Sequence, residues 1–390
     1  MRKMGLGKIG KIISDTKEIL KEHQLCDSCL GRLFAPKLGL SSHKKLGHKI
    51  RNILHKKNPK SCYICKNLMS KLDLQLSKML EMSNDYEFSS FLVGAILQPS
   101  ILDRDDQIRS KFKLQGISGI KADVTREIGK RFGRKTKTKV NYQNPDIVFT
   151  LDFKNSECEI KPKPVFLSGR YTKSQRGIPQ KQRPCEHCSG KGCYSCQFHG
   201  ISEFDSVEGK IAKFLYERFG AQQAKITWVG SEDETSLVLG KGRPFFVKLV
   251  NPHKRKTSPG KKIQLDEVLI HNLKIIAKIP SNNMRFRSKV KMEVQTENEI
   301  KPSQLKNLHK LEKEPISIYE NSGKKSQKNI YDIQYKKKSS NCFSLFMKAD
   351  GGVPLKRLAN GSEVAPSLSS ILENSCKCKH FDFYEIALTH

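Results

Sequence analysis

Gly230-Ser231-Glu232-Asp233-Glu234-Thr235-Ser236-Leu237-Val238-Leu239-Gly240-Lys241-Gly242-Arg243-Pro244-Phe245 is the stretch whose reading decides both fold and chemistry. An apolar run from Lys225 to Val229, holding the only tryptophan, Trp228, precedes it, and Phe245 to Val250 follows. Such runs, bounded by glycine and proline, read as short strands. The acidic triplet therefore sits on a loop between two strands, where a substrate can reach it, and not on a solvated helix face. A carboxylate so placed is either a turn residue or a catalytic group.

Working outward, the 390 residues suffice for two or three domains, each with its own core. The 72 Lys and Arg against 39 Asp and Glu give a formal charge of +33. The excess clusters at Arg134 to Lys139, Lys254 to Lys256, Lys261 with Lys262, and Lys336 to Lys338. Such a surplus repels itself unless a polyanion supplies the missing charge, which points to nucleic acid; a solvated surface is the plainer reading. The longest strongly apolar stretch, Phe91 to Leu97, is too short to span a bilayer, so no membrane partner is expected. Arg2, Lys3, Lys8 and Lys11 interrupt any apolar core of an export signal, and a cytoplasmic protein is expected. There the 12 cysteines stay reduced, which favours metal over disulfides.

Residues 11 to 25 have helical spacing, with Ile12, Ile19 and Leu20 near one face, and lead into Cys26-Asp27-Ser28-Cys29. A second helical pattern, Leu46, Ile50, Ile53 and Leu54, leads into Cys62-Tyr63-Ile64-Cys65. Two Cys-x-x-Cys pairs fit a closed tetrahedral zinc site of structural kind; four unrelated buried cysteines are the alternative. Cys185, Cys188, Cys193 and Cys196 form another paired set, with Gly190 and Gly192 permitting tight knuckles and His187 and His199 as spare donors. A second zinc and four free thiols both fit that spacing. Cys376, Cys378 and His380 suggest a third metal, but two cysteines one residue apart favour a structural reading.

From about 70 to 165 the pattern is mixed. Phe91 to Val93 reads as a strand, and Ala122 to Phe132 as a helix with Val124 and Ile128 inward and Gly133 at its C-terminal end. Ile147, Phe149, Leu151 and Phe153 alternate as a half-buried strand. The helix carries Lys121, Arg126 and Lys130, which serve either a solvated face or RNA. Asp205-Ser206-Val207-Glu208 has capping-box spacing, opening a helix with Val207, Ile211, Phe214 and Leu215 on one side and Gly220 past its end. Residues 300 to 340, rich in lysine, serine and asparagine, read as a basic, RNA-facing extension or an ordered insertion with mobile tips.

The opening stretch resembles the catalytic segment of pseudouridine synthases, specifically the archaeal and eukaryotic tRNA family acting on the TΨC arm. There a Gly-Arg-Glu-Asp motif runs into Leu-Gly-x-Gly-Arg-Pro-Phe. Ser168 to Gln180 is similar to that family's Gly-Arg-Tyr-x-Lys-x-x-Arg-x-Ile-Pro-Gln block, and Gly352 to Arg357 falls where the family has Gly-x-x-x-Lys. The resemblance spans nearly the whole chain. It implies Asp233 as the catalytic carboxylate and Lys356 as its cationic neighbour, with Arg170, Tyr171, Lys173, Arg176 and Arg243 at the substrate. It also implies an RNA-binding THUMP-type module that includes Lys121, Arg126 and Lys130. The implied reaction isomerises uridine to pseudouridine, at positions 54 and 55 of the tRNA or at one of them. The expected cofactors are structural zinc and no organic group; the expected partner is tRNA, with no obligate protein partner. Two positions depart from the family pattern: Ser231 stands where arginine is usual, and Lys301-Pro302-Ser303 where a lysine-x-tyrosine element is expected.

The expected fold class is α+β. A zinc-bearing segment (1–70) and a THUMP-type α/β domain (71–165) precede a catalytic domain (166–390) built on a mixed, largely antiparallel sheet, with a zinc-binding insertion at 185–196. The rival is a tRNA-binding scaffold of the same architecture without catalysis. A methyltransferase would need a glycine-rich nucleotide loop after a strand, and a DnaJ-type chaperone, whose zinc repeats the second cysteine set also resembles, would need His-Pro-Asp; neither occurs.

Overall fold

The computed structural model describes residues 6–38, 42–256, 262–280, 284–320, 323 and 325–389. Arg2, Lys3 and Lys261 lie outside them, and so do the side chains of Lys8 and Lys11. The chain forms two compact units, Met1–Lys163 and Pro164–His390.

In the first unit, the helices Leu6–Glu22, Asp27–Leu38 and His43–Ile53 surround the first cysteine set. Ile12 and Ile19 are buried and Leu20 half-buried, in keeping with their spacing. The Asp27–Leu38 helix goes beyond the expected pattern, in which Cys26-Asp27-Ser28-Cys29 is the only signal in that stretch. It crosses the His43–Ile53 helix at Gly31 and Gly47, where a Cβ on either would strike the backbone of His43 or Asp27. Leu46 and Ile50 face inward, but Ile53 is exposed, because it ends the helix.

A four-stranded sheet follows, ordered Lys139–Val140, Ser90–Ile96, Ile147–Asp152, Glu157–Pro162, parallel except for the last pair. Ile147, Phe149 and Leu151 are fully buried on one face, as the alternation requires. The helix Ile120–Thr136 covers them through Ile128 and Phe132, while Val124 faces inward to the neighbouring core that holds Ile101 and Ile108. It does not stop at Gly133: the chain stays helical to Thr136, and Lys137 takes the left-handed C-cap at φ 58°. Gly133 instead lets the helix lie close to Phe91 and Thr138.

The second unit is built on a nine-stranded sheet. Its path runs Ile330–Ser339, Cys342–Asp350, Phe286–Thr296, Cys376–Leu388, Val238–Val250, Val165–Lys173, Val268–Ile276, Lys262–Leu265, and Gln223–Trp228 pairs with Val238–Val250. Every pairing is antiparallel except that of Cys376–Leu388 with Val238–Val250. The helix Val207–Phe219 covers one half, capped by Ser206 Oγ accepting from Gly209 N at 2.9 Å and ended by Gly220 at φ 58°. Glu208 accepts from Gln182 N at 3.0 Å, so the box closes on another loop.

Among the described residues, 300 to 340 take the ordered form of the two expected. They fold into the helix Pro302–Leu305, a 3₁₀ segment Lys306–Glu312 and the strands Ile316–Tyr319, Lys325–Lys328 and Ile330–Ser339. Leu305, Leu308, Leu311, Ile316, Ile318, Ile330 and Ile333 join the core under the sheet. The three leucines recur every third residue, the period of a 3₁₀ turn, so a search at helical or strand period misses them.

Candidate active site

Trp228 pairs with Phe245 in register, and the chain between them leaves the sheet as the loop that bears Asp233. Two contacts anchor its far end: Asp382 Oδ1 accepts from Leu237 N at 3.0 Å, and Leu237 O accepts from Phe383 N at 2.9 Å. Within the loop Thr235 donates to Asp233 Oδ1 through its backbone N (3.0 Å) and Oγ1 (2.6 Å).

The second carboxylate oxygen meets Lys356, whose Nζ donates to Asp233 Oδ2 at 2.6 Å. Lys356 sits in the first turn of the helix Leu355–Asn360, brought there by the Gly351-Gly352 turn. Partial burial pushes the Asp233 carboxyl up, but the hydrogen bonds from Lys356 and Thr235 outweigh it and bring it down to about 2. The same hydrogen bond holds the Lys356 ammonium above its ordinary value. The pair opens onto a cleft of about 300 Å³ backed by Phe381 and Phe383.

Glu232, one residue away, points the other way. Its side chain has no exposure and contacts Lys173 Nζ (3.1 Å), Arg243 Nε (3.4 Å) and Tyr171 Oη (2.9 Å). Of the three acids, Glu232 is turned inward and Glu234 is exposed but does not line the cleft, which leaves the Asp233 carboxylate on the cleft wall.

Five of the residues expected at the substrate are used by the protein itself. Tyr171, Lys173 and Arg243 are buried beneath the loop at 0% exposure and do not line the cleft. Arg170 donates to three backbone carbonyls, Lys241 O and Gly242 O at 2.7 Å and Ile386 O at 2.6 Å. Arg176 donates to Thr235 O at 2.5 Å and pairs with Asp382 at 2.7 Å. Alternation along Val165–Lys173 turns Tyr171 and Lys173 to its buried face and Arg170 to the other, and the sequence block does not reveal which face is covered. In the first unit Lys121 is exposed, Lys130 pairs with Glu127 at 3.7 Å, and Arg126 pairs with Asp123 beside His43.

Lys301-Pro302-Ser303 opens a short helix and does not line the cleft. Besides Phe381 and Phe383, a third aromatic stands near the site, Phe286: its ring lies against Gly230 and Gly351, where a Cβ would collide with it, and its carbonyl accepts from Gly351 N at 2.7 Å. It thus wedges the Asp233 loop against the Lys356 loop. Its signal in sequence is an aromatic between two arginines, Arg285 and Arg287, at a strand start.

Among the described residues, two four-cysteine groups have all their sulfurs within 4.8 Å of one another: Cys26, Cys29, Cys62, Cys65 and Cys185, Cys188, Cys193, Cys196. Sulfur separations are 3.7 Å for Cys26 with Cys65, and 3.8 to 3.9 Å in the second group. Four thiolates each about 2.3 Å from a tetrahedral ion lie about 3.8 Å apart, so both groups fit zinc. In the second group the N–H groups of Gly192, Cys193 and Gly200 point at sulfur at 3.2 to 3.3 Å. His199 is not a spare donor: its ring stacks on Tyr216 at 3.9 Å and its Nδ1 meets Gln222 O at 2.8 Å. Cys376 and Cys378 are buried along a strand, outside both groups. Among the described residues no helix is long and apolar enough to cross a membrane.

Residues 166–387 match the family described as Pus10, C-terminal, and residues 76–152 match the Pus10 THUMP domain, archaeal. These define the class: an α+β protein joining a THUMP domain to a pseudouridine-synthase-type C-terminal domain. Over 376 residues the chain is 50% identical to the tRNA pseudouridine synthase Pus10 of Nitrosopumilus maritimus, covering 96% of this chain and 98% of that one. It is 38% identical over 364 residues to that of Cenarchaeum symbiosum (93% and 90% covered), and 29% over 394 residues to that of Methanothermobacter marburgensis (94% and 96%). The chain belongs to the Pus10 family. A solved Cbf5-Nop10-Gar1 complex overlaps 55% of this chain and 47% of its own at TM-score 0.30 and 8% identity, too loosely to carry an argument.

Proposed function

We propose that this chain is a tRNA pseudouridine synthase that isomerises uridine in the TΨC arm, at position 54, 55 or both, with Asp233 as the reacting carboxylate. The observation that carries this reading is the Asp233–Lys356 pair at 2.6 Å on the wall of a cleft, beside a neighbouring carboxylate that is sealed from solvent. The reaction breaks the N-glycosidic bond, turns the base, and joins carbon to the sugar where nitrogen had been. Asp233 is held ionised, free to attack or deprotonate the nucleoside and to stabilise positive charge on the ribose. Lys356 keeps it charged and oriented. The target base must leave its stack to reach the cleft, at a cost of a few kcal/mol offset by basic contacts to the flanking backbone.

In this reading residues 1–70 form a zinc-bearing segment, 71–165 the RNA-binding domain and 166–390 the catalytic domain. The charge of +33 supplies phosphate contacts to tRNA, and the enzyme works in the cytoplasm. Cys26, Cys29, Cys62 and Cys65 would hold one zinc and Cys185, Cys188, Cys193 and Cys196 another. Four thiolates leave no open position, so the metal is structural and no step passes through it.

The test is to incubate an unmodified tRNA transcript with the protein and map pseudouridine by carbodiimide chemistry or mass spectrometry. Wild type should modify the TΨC arm, and Asp233→Asn should bind the tRNA without modifying it. A folded, tRNA-binding wild type that makes no pseudouridine would establish the scaffold reading instead.

A further inference from the structure

Resting on the catalytic reading of Asp233, we propose that Glu232 is the positioning residue of this enzyme. It is an inward anchor seated in a buried cationic socket that sets where the next residue presents its carboxylate. Sheet register builds the socket. Tyr171 and Arg243 are direct cross-strand partners, and Lys173 is paired with Val238 at the end of the same ladder. All three side chains converge on Glu232: Tyr171 Oη donates to Oε2 at 2.9 Å, Lys173 Nζ lies 3.1 Å from Oε1 and Arg243 Nε 3.4 Å from Oε2. None of the charged partners exceeds 1% exposure.

The socket also grips the loop on both sides of Asp233. Gln180 Nε2 donates to Tyr171 Oη at 3.1 Å and to Gly230 O at 3.4 Å, which ties the entry. Lys173 Nζ donates to Ile178 O at 2.8 Å and to Glu234 O at 3.4 Å, and Gly177 N donates to Glu234 O at 2.9 Å, which ties the exit. Arg243 extends the network to the cleft wall: its Nη1 donates to Val229 O at 2.8 Å, and its guanidinium lies 4.4 Å from the ring of Phe383. The block from Tyr171 to Gln180 and the acidic loop are therefore one device.

Charge explains why the anchor must be an acid. Two buried cations face one anion, so neutralising Glu232 leaves like charges unpaired in a dry site, and the loop must move to admit water. Consecutive Cα atoms are about 3.8 Å apart, so movement at 232 passes directly to the Asp233 carboxylate and its contact with Lys356. A misplacement of about 1 Å at a reacting group costs on the order of 10²-fold in rate.

The experiment compares Tyr171→Phe, Glu232→Gln and Asp233→Asn for kcat, KM, tRNA affinity and melting temperature on a tRNA transcript. Tyr171→Phe keeps the buried ring and removes only the hydroxyl that holds Glu232. It should retain KM, tRNA affinity and near-native melting while kcat falls about 10-fold; Glu232→Gln should lose on the order of 10²-fold in kcat. Adding Lys356→Met to Tyr171→Phe should cost less than the product of the single losses, because both act on the placement of one carboxylate. If Glu232→Gln does not fold, Tyr171→Phe and the double variant decide. Wild-type kcat in Tyr171→Phe, multiplicative losses in the double variant, or a kcat deficit that vanishes well below the melting temperature would each overturn the positioning role. In those cases Asp233→Asn stays inactive and the catalytic reading stands; a wild type that makes no pseudouridine overturns both.

Discussion

Glu232 and Asp233 are neighbours in sequence but work in opposite media. Below the loop, Glu232 is fully buried against Lys173, Arg243 and Tyr171; above it, Asp233 faces a cleft with Thr235 and a Lys356 side chain that is 55% exposed. In the proposed reading the lower carboxylate has a structural use, because removing it strands two charges, and the upper a chemical use, because it is ionised and reachable. The two four-cysteine groups repeat the contrast. Cys29, Cys62 and Cys65 are core residues that join segments far apart in the chain, whereas Cys185 to Cys196 close a single surface loop. With zinc bound as proposed, identical chemistry would support one core cluster of the first unit in one place and a local loop in the other.

The comparison is broken most directly at Asp233. Asp233→Asn preserves shape but turns one of the two accepting oxygens into a donor, losing the contact to Lys356 or to Thr235; pseudouridine formation should fall by at least about 10⁴-fold while melting and tRNA binding stay close to wild-type levels. A variant that retains turnover would move the chemistry elsewhere.

The cysteine groups come next in size. Wild type should contain about two equivalents of zinc by elemental analysis. Cys62→Ser should remove about one and destabilise the N-terminal unit by roughly 3 kcal/mol or more, read as lost hydrogen-exchange protection in residues 6–163. Cys188→Ser should also remove about one equivalent, yet raise exchange only around the insertion. Equal damage from the two would erase the contrast between core and loop.

Lys356→Met is expected to cost less than Asp233→Asn, on the order of 10-fold to 10²-fold, since a carboxylate near its ordinary value is still charged at neutral pH. Without its ammonium partner the Asp233 carboxyl should titrate higher, so the variant's turnover should fail at a higher pH than wild type's as acid is added. A pH–rate profile on each checks the sign.

The smallest effect is on stability. Asp233 is depressed from 3.8 to about 2 in the folded chain. Its contribution is fully present above about 3.8 and is lost as pH falls through about 2. Because the pair is largely open to solvent, the loss should be under about 1 kcal/mol. Acid unfolding of wild type and Asp233→Asn, compared between those values, measures it.

By itself the sequence determined the elements whose signals are local. The strands on either side of the acidic loop, the helix opening after Asp205-Ser206 and ending at Gly220, the alternation of Ile147, Phe149 and Leu151 and each Cys-x-x-Cys pair are legible within a dozen or so residues, since backbone period and ligand spacing act at short range. Only the tertiary structure decided which acid of Glu232-Asp233 turns inward. It also decided that Tyr171, Lys173 and Arg243 serve the fold beneath the loop, that the site's wedge is Phe286, and that the lysine-rich 300–340 region supplies core leucines. Each of these depends on register between distant strands: Tyr171 and Glu232 lie 61 positions apart yet share a hydrogen bond. A strand's period tells which residues share a face, but only the sheet assembled around it tells whether that face is wet or dry.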